Sequence, residues 1–437
     1  MSLSPRFKKT TFSNGLTLVS ERHSEFRSLS IGVWVKAGTR HEKPREAGIS
    51  HFLEHMLFKG TDNRTPLQIA REVDEVGGDF NAFTTREYTC FHILMLDEDL
   101  ELGLDILGDV ILNSNFDSEE LERERKVIVQ EISMAEESPE EMGHDILFEL
   151  VYGAHGLGRP ILGTNTSVKR ISRAELLRFF RKHYRPDQMI IAVAGDVSHE
   201  KIKKHLRPLC RNRWPGRAPR ISQKELGFEA APETRSGNWW ITRNTEQVHL
   251  LWGVKAPHYA SRDRYALSLL NVYLGGGMSS VLFQEIREKK GLAYTVYSNL
   301  SLFLDSGYFS VYAATAPHQV GLCLKLIEEC LDKLQRQLLT EEELRVVKSN
   351  LRGSVLLSSD SVESRMSSIA KGEIYMGTHL NVDELCAKID AVTAQDIRRV
   401  ARKLFRDGKK SILALGPKPG KQIRAKLKLS FPKKYRV

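Results

Sequence analysis

Apolar positions along this chain follow two periods. Alternation over residues 28–37 and 248–254 predicts half-buried strands. Over residues 46–59 the apolar positions Ile49, Phe52, Leu53, Met56 and Leu57 recur at helical spacing. They predict an amphipathic helix, with Gly60 placed to stop it. Asn14-Gly15 predicts the turn of a hairpin across residues 11–20.

The pattern then repeats. Residues 117–134 (DSEELERERKVIVQEISM) open with a helix-capping pattern, Asp117 with Glu120, and residues 340–357 (TEEELRVVKSNLRGSVLL) open in the same way. Each leads to a second helical stretch, ending near Tyr152-Gly153 and Met376-Gly377. A basic amphipathic helix and a short apolar strand follow, at residues 173–183 and 189–195, and again at 394–405 and 411–416. A repeat at about half the chain length means duplicated domains, since solenoid periods are only ~20–50 residues. Residues 211–238, with Pro215, Gly216, Pro219 and Pro232, lack a clear period and are expected to be the linker. The expected organisation is an N-terminal domain at residues 1–210 and a C-terminal domain at 239–437. The fold class is α+β, each domain a mostly antiparallel sheet packed with helices.

Composition narrows the function classes. With 41% hydrophobic and 27% charged residues the chain is globular, and no apolar run approaches the ~18 residues that cross a bilayer, so no membrane partner is expected. The net charge of +10 sits largely at the end: residues 418–437 carry six Lys, two Arg and no acid. No nucleic-acid motif accompanies them, so this tail reads as a solvated end and no nucleic-acid partner is expected. Cys90, Cys210, Cys323, Cys330 and Cys386 form no CxxC pair, which argues against a disulfide framework and a thiolate metal site. With no signal-peptide core at the N-terminus, the chain is expected to be cytoplasmic.

The chemistry concentrates in residues 51–55, HFLEH. On a helix, His51 and His55 project from one face a turn apart, as two imidazoles sharing a metal must. Glu54 lies on nearly the same face, where it can act on water as a general base. This order is the inverse of HExxH. A hydrolytic zinc site needs a third protein ligand and an open position. Glu131, mid-helix and separated from His55 by 75 intervening residues, is the best candidate. Glu124, two turns earlier on the same face, can hydrogen-bond a ligand, although a solvated carboxylate is nearly as good a reading. His92, His144 and His155 read as structural or surface histidines. Aligning Leu121 with Leu344 places Glu131 on Ser354 and Glu124 on Val347, so only the first half is equipped for zinc.

Together with residues 77–87 (GGDFNAFTTRE), 124–138 (ERKVIVQEISMAEES) and 274–297 (LGGGMSSVLFQEIREKKGLAYTVY), the motif region 51–61 (HFLEHMLFKGT) resembles the pitrilysin and mitochondrial processing peptidase family, in its short bacterial form. The resemblance covers essentially the whole chain. It implies about one zinc per chain, held by His51, His55 and Glu131, with Glu54 as general base. It implies that Arg287 and Tyr294 contact substrate, and that Asn81, Ala82, Phe83 and Thr84 lie on an edge strand that takes up peptide by strand addition. It also implies a homodimer around an enclosed chamber, acting on peptides or unfolded polypeptide. Val281 departs from the pattern, which leads one to expect a basic residue there. Non-catalytic partner subunits of such families lose HxxEH or the Arg–Tyr pair; both sets stand here. A purely structural zinc site would want four protein ligands and no adjacent base.

Overall fold

In a computed structural model, which describes residues 6–212, 222–406, 408–421, 423–424, 428–432 and 434, the fold starts with the hairpin of β1 (Phe7–Thr11) and β2 (Thr17–Arg22). Gly15 turns it at a φ of +95°, a conformation that favours glycine. The chain continues through β3 (Ser28–Val35), α1 (Ile49–Leu57), α2 (Pro66–Asp74), β4 (Asp79–Thr84) and β5 (Thr89–Leu96). Helices α3 (Leu100–Leu112), α4 (Ser118–Glu137), α5 (Pro139–Tyr152), α6 (Asn165–Arg170) and α7 (Arg173–His183) precede β6 (Met189–Gly195) and α8 (His199–Asn212). The second half runs β7 (Gly237–Thr242), β8 (Val248–Ala256), α9 (Arg264–Gly275), a π-helical turn at Phe283–Glu288, β9 (Ala293–Leu302) and β10 (Gly307–Thr315). Then come α10 (Val320–Arg336), α11 (Glu341–Ser359), α12 (Val362–Met376), α13 (Val382–Asp390), α14 (Ala394–Phe405) and β11 (Ser411–Gly416).

The two halves build the same sheet. One is ordered β1-β2-β6-β3-β5-β4, the other β7-β11-β8-β10-β9. Apart from β1 the orders match strand for strand. Each contains one parallel pair, β2 with β6 and β7 with β11, and is otherwise antiparallel. The fold is therefore α+β with two homologous domains.

The compact units are not the two continuous halves expected from the sequence. Unit 1 comprises residues 1–134, 154–229 and 357–379; unit 2 comprises 135–153, 230–356 and 380–437. The equivalent helices α5 and α12 are exchanged. A sheet with one helical layer leaves its other face exposed, and here the helix from the other half of the chain covers it. In unit 1, Met366, Ile369 and Ala370 of α12 pack on Trp34, Cys90 and Ala192. Gly32 makes room, because a Cβ there would lie 2.5 Å from the Met366 sulfur. Arg365 donates to both oxygens of the buried Glu21 at 2.6 and 2.7 Å. In unit 2, Gly143 of α5 lies against Leu251, and His144 stacks on Tyr297 and Tyr312.

Of the expected linker, residues 213–221 lie outside the described residues. Phe228 packs under the Arg40 guanidinium in unit 1, so residues 222–229 belong to a folded unit. Within the basic tail, of which residues 422, 425–427, 433 and 435–437 lie outside the described residues, residues 429–431 depart from expectation. Ser430 bonds the backbone of Asn238 and Trp240, extending the β7 edge, while Leu429 and Phe431 pack on the unit 2 core. Among the described residues no helix is long and apolar enough to cross a membrane.

Candidate metal centre

The helix predicted over residues 46–59 is shorter in the structure. A 3-10 turn at Pro44–Glu46 precedes α1, and Gly48, at a φ of +89°, breaks the two apart. Gly60, at +101°, follows the helix end at Phe58. The apolar stripe of α1 is fully buried against the sheet, which aims the opposite face at α4. α4 starts where Asp117 accepts hydrogen bonds from the N–H groups of Glu119 and Glu120.

Three atoms converge between these helices. Glu131 Oε2 lies 3.8 Å from His51 Nε2 and 3.5 Å from His55 Nε2. His51, His55 and Glu131 are the single His/Cys/Asp/Glu group among the described residues whose ligand atoms all lie within 4.8 Å of one another. These separations are too long for hydrogen bonds. They are close to the ~3.3 Å expected between tetrahedral ligands at zinc bond lengths. Burial, and then His55, push His51 down to about 3, so its ring stays neutral with a lone pair to give. The donor set, two imidazoles and a carboxylate, fits zinc with a position left open.

The surroundings support that use. His55 Nδ1 lies 2.9 Å from Glu124 Oε2. A carboxylate there makes Nδ1 the proton-bearing nitrogen and leaves Nε2 free as a donor. Burial raises the Glu124 carboxyl, but bonds from Lys59, at 2.7 Å, and from His55 outweigh it and hold the acid ionised. Glu54 is pushed up by burial against the pull of the Thr84 hydroxyl, which donates to its Oε2. Sequence reading assigned no role to Lys59, and to Thr84 none beyond its place on the edge strand. Lys59 was legible, one turn beyond His55 on the same face. Thr84 was not, because only sheet packing brings β4 to α1.

β4 is an edge strand. Its turn closes with a bond from Thr85 N–H to the Tyr88 carbonyl, so alternation turns the backbone of Ala82 away from β5. The Asn81 side chain accepts that outward Ala82 N–H at 2.8 Å. Phe83 packs edge-on against Trp34. In unit 2, the Arg287 guanidinium lies 4.6 Å above the Tyr294 ring, and Tyr294 is 75% exposed. His155 is buried and bonded to Leu157 N–H, His92 faces Glu363 and His144 bonds Tyr297, so none of these three joins the cluster.

Residues 17–165 match the family model described as insulinase, peptidase family M16. The chain is 40% identical over 398 residues to an uncharacterized zinc protease of Bacillus subtilis, YmxG, covering 91% of this chain and 95% of that one. It is 39% identical over 416 residues to an uncharacterized zinc protease of Mycobacterium leprae, covering 95% and 92%. The chain belongs to peptidase family M16. Residues 170–351 of this M16 chain match the model described as the peptidase M16 inactive domain, the stretch in which the repeat carries no HxxEH. The M16 fold is shared with a crystal structure of a Helicobacter pylori protease, TM-score 0.88 at 24% identity, covering 94% of this chain and 100% of that one. A Pseudomonas fluorescens structure described as a peptidase M16 inactive domain has a TM-score of 0.86 at 21% identity, covering 94% and 98%.

Proposed function

We propose that this M16 chain is a zinc-dependent endopeptidase that hydrolyses peptides or unfolded polypeptide segments. The observation that carries the reading is the meeting of His51, His55 and Glu131 with a half-buried carboxylate, Glu54, beside them. His51, His55 and Glu131 would hold about one zinc per chain. When bound, the ion supplies Lewis acidity to water and to a peptide carbonyl. Glu54 takes the proton of the attacking water and delivers it to the leaving amine. Desolvation raises its proton affinity above that of an ordinary carboxylate, the direction that suits a general base. Thr84 fixes Oε2 of that carboxylate, and Glu124 fixes the tautomer of His55.

The substrate would enter as a strand against β4, paired to backbone around Asn81, Ala82 and Phe83. Asn81 would release Ala82 N–H to the incoming chain, a removable cover for an otherwise sticky edge. Arg287 and Tyr294 would bind the substrate carbonyl, and the chain would work as a homodimer, which sedimentation tests directly. The main test is digestion of an unstructured peptide mixture before and after chelation. Activity abolished by chelator and restored by stoichiometric zinc is expected. Undiminished cleavage by fully metal-free protein would overturn the reading.

A further inference from the structure

The two candidate histidine ligands are held in different ways. His55 has a side-chain partner, Glu124, on its Nδ1. The Nδ1 of His51 is buried and has no hydrogen-bond partner among the described residues. What fixes His51 is therefore its backbone, and His51 is only the third residue of α1, in the turn where helices fray.

The start of α1 has no side-chain cap of its own, because its capping position is Gly48. No other residue fits there. A Cβ on Gly48 would lie 2.6 Å from the Leu162 carbonyl oxygen, and one on Gly163 would lie 2.5 Å from that of Ala47. The capping function comes from a distant residue instead. Glu42, 4% exposed, accepts the Gly48 N–H on Oε2 at 3.0 Å and the Ser50 N–H on Oε1 at 2.9 Å. It takes two of the donors that every helix start leaves unpaired, at the positive end of the helix dipole. Its own backbone carbonyl is bonded by Arg159, which also donates to the Ala154 carbonyl at 2.8 Å.

We propose that Glu42 is a positioning residue of the metal centre, holding the first turn of α1, and with it His51, in place for His55 and Glu131. This rests on the zinc reading above. Glu42 does through the backbone of His51 what Glu124 does through the ring of His55. Burial pushes the Glu42 carboxyl up to about 7 against the pull of Ser50, Gly48 and Arg159, so the fold keeps a costly acid at this point.

The test compares Glu42→Gln with Thr393→Ala, which removes a helix cap in unit 2 and serves as a control for cap loss alone. Zinc affinity is read by competition with a chromophoric chelator, ligand geometry by the visible spectrum of the cobalt(II) form, and stability by thermal unfolding of metal-free protein. The amide of Gln faces one N–H with another donor, so Glu42→Gln should weaken zinc binding about 10- to 100-fold and shift the cobalt bands. Thr393→Ala should lower the unfolding temperature and change neither. Wild-type zinc affinity and an unchanged cobalt spectrum in Glu42→Gln would overturn the proposal. If Glu42→Gln does not fold, Glu42→Asp, one methylene short of the same contacts, is read by the same criteria. Zinc stoichiometry of the wild-type protein separates failure of the zinc reading from failure of this one.

Discussion

α4 and α11 begin alike and end in different chemistry. Asp117 caps the first through Glu119 and Glu120; Thr340 and Glu343 bond each other's backbone N–H at the start of the second. Both stand beside sheets of one topology. Yet where α4 presents Glu124 and Glu131, α11 presents Val347, buried in the unit 2 core, and Ser354, whose hydroxyl bonds back to the Asn350 carbonyl. α9, which follows β8 as α1 follows β3, has neither histidine nor glutamate. A requirement of the fold shows in both copies, as the caps and sheet order do. A requirement of chemistry shows in one.

The largest effect should come from breaking the equipped copy. His51→Ala or Glu131→Ala should bring zinc from about one per chain to near zero and abolish hydrolysis, as read by elemental analysis and a peptide assay. Ser354→Glu should add no zinc, since α9, the counterpart of α1, carries no histidine to meet it. Gain of a second zinc would break the comparison. Glu54→Gln should keep its zinc while turnover falls ~100- to 10,000-fold, the usual contribution of general acid–base catalysis. Near-normal turnover in that variant would move the base elsewhere.

A pH effect should also belong to unit 1. Burial, and then Arg40, push His41 down to about 4, and its ring packs on His183, which burial also keeps neutral. The unfolded chain takes the His41 proton first. The stability contributed by neutral His41 is therefore present above about pH 6.5 and is lost as pH falls through about 4, a change of roughly 3 kcal/mol. Denaturant titrations of metal-free protein should show a shallower acid loss in His41→Gln. An identical acid profile would exclude this histidine as the cause. The smallest effects sharpen the α4–α11 contrast. Glu124→Ala should weaken zinc binding about 10- to 100-fold. Val347→Ala should cost on the order of 1–2 kcal/mol of stability and leave zinc affinity unchanged. Equal effects of the two on zinc would erase the difference between the units.

What lies within one turn or one strand was legible in the sequence. The helices at residues 173–183 and 394–405 and the strands at 189–195 and 411–416 stand where periodicity put them, because a local apolar pattern fixes which face is buried. The same rule placed His51, Glu54 and His55 on one face of α1, and Glu124 with Glu131 on one face of α4. The overlong prediction for α1 came from reading through Gly48, whose positive φ no periodicity reveals. Everything that joins distant segments was decided by tertiary structure. It brought Thr84 to Glu54 and Glu42 to the start of α1, set Ser430 beside β7, and gave α5 and α12 to the opposite units. The physical reason is that spacing along the chain determines which side chains share a face. Which faces meet depends on the apolar area each sheet must cover, and α12 covers its sheet with Met366, Ile369 and Ala370 while α5 meets the other through Gly143 and His144.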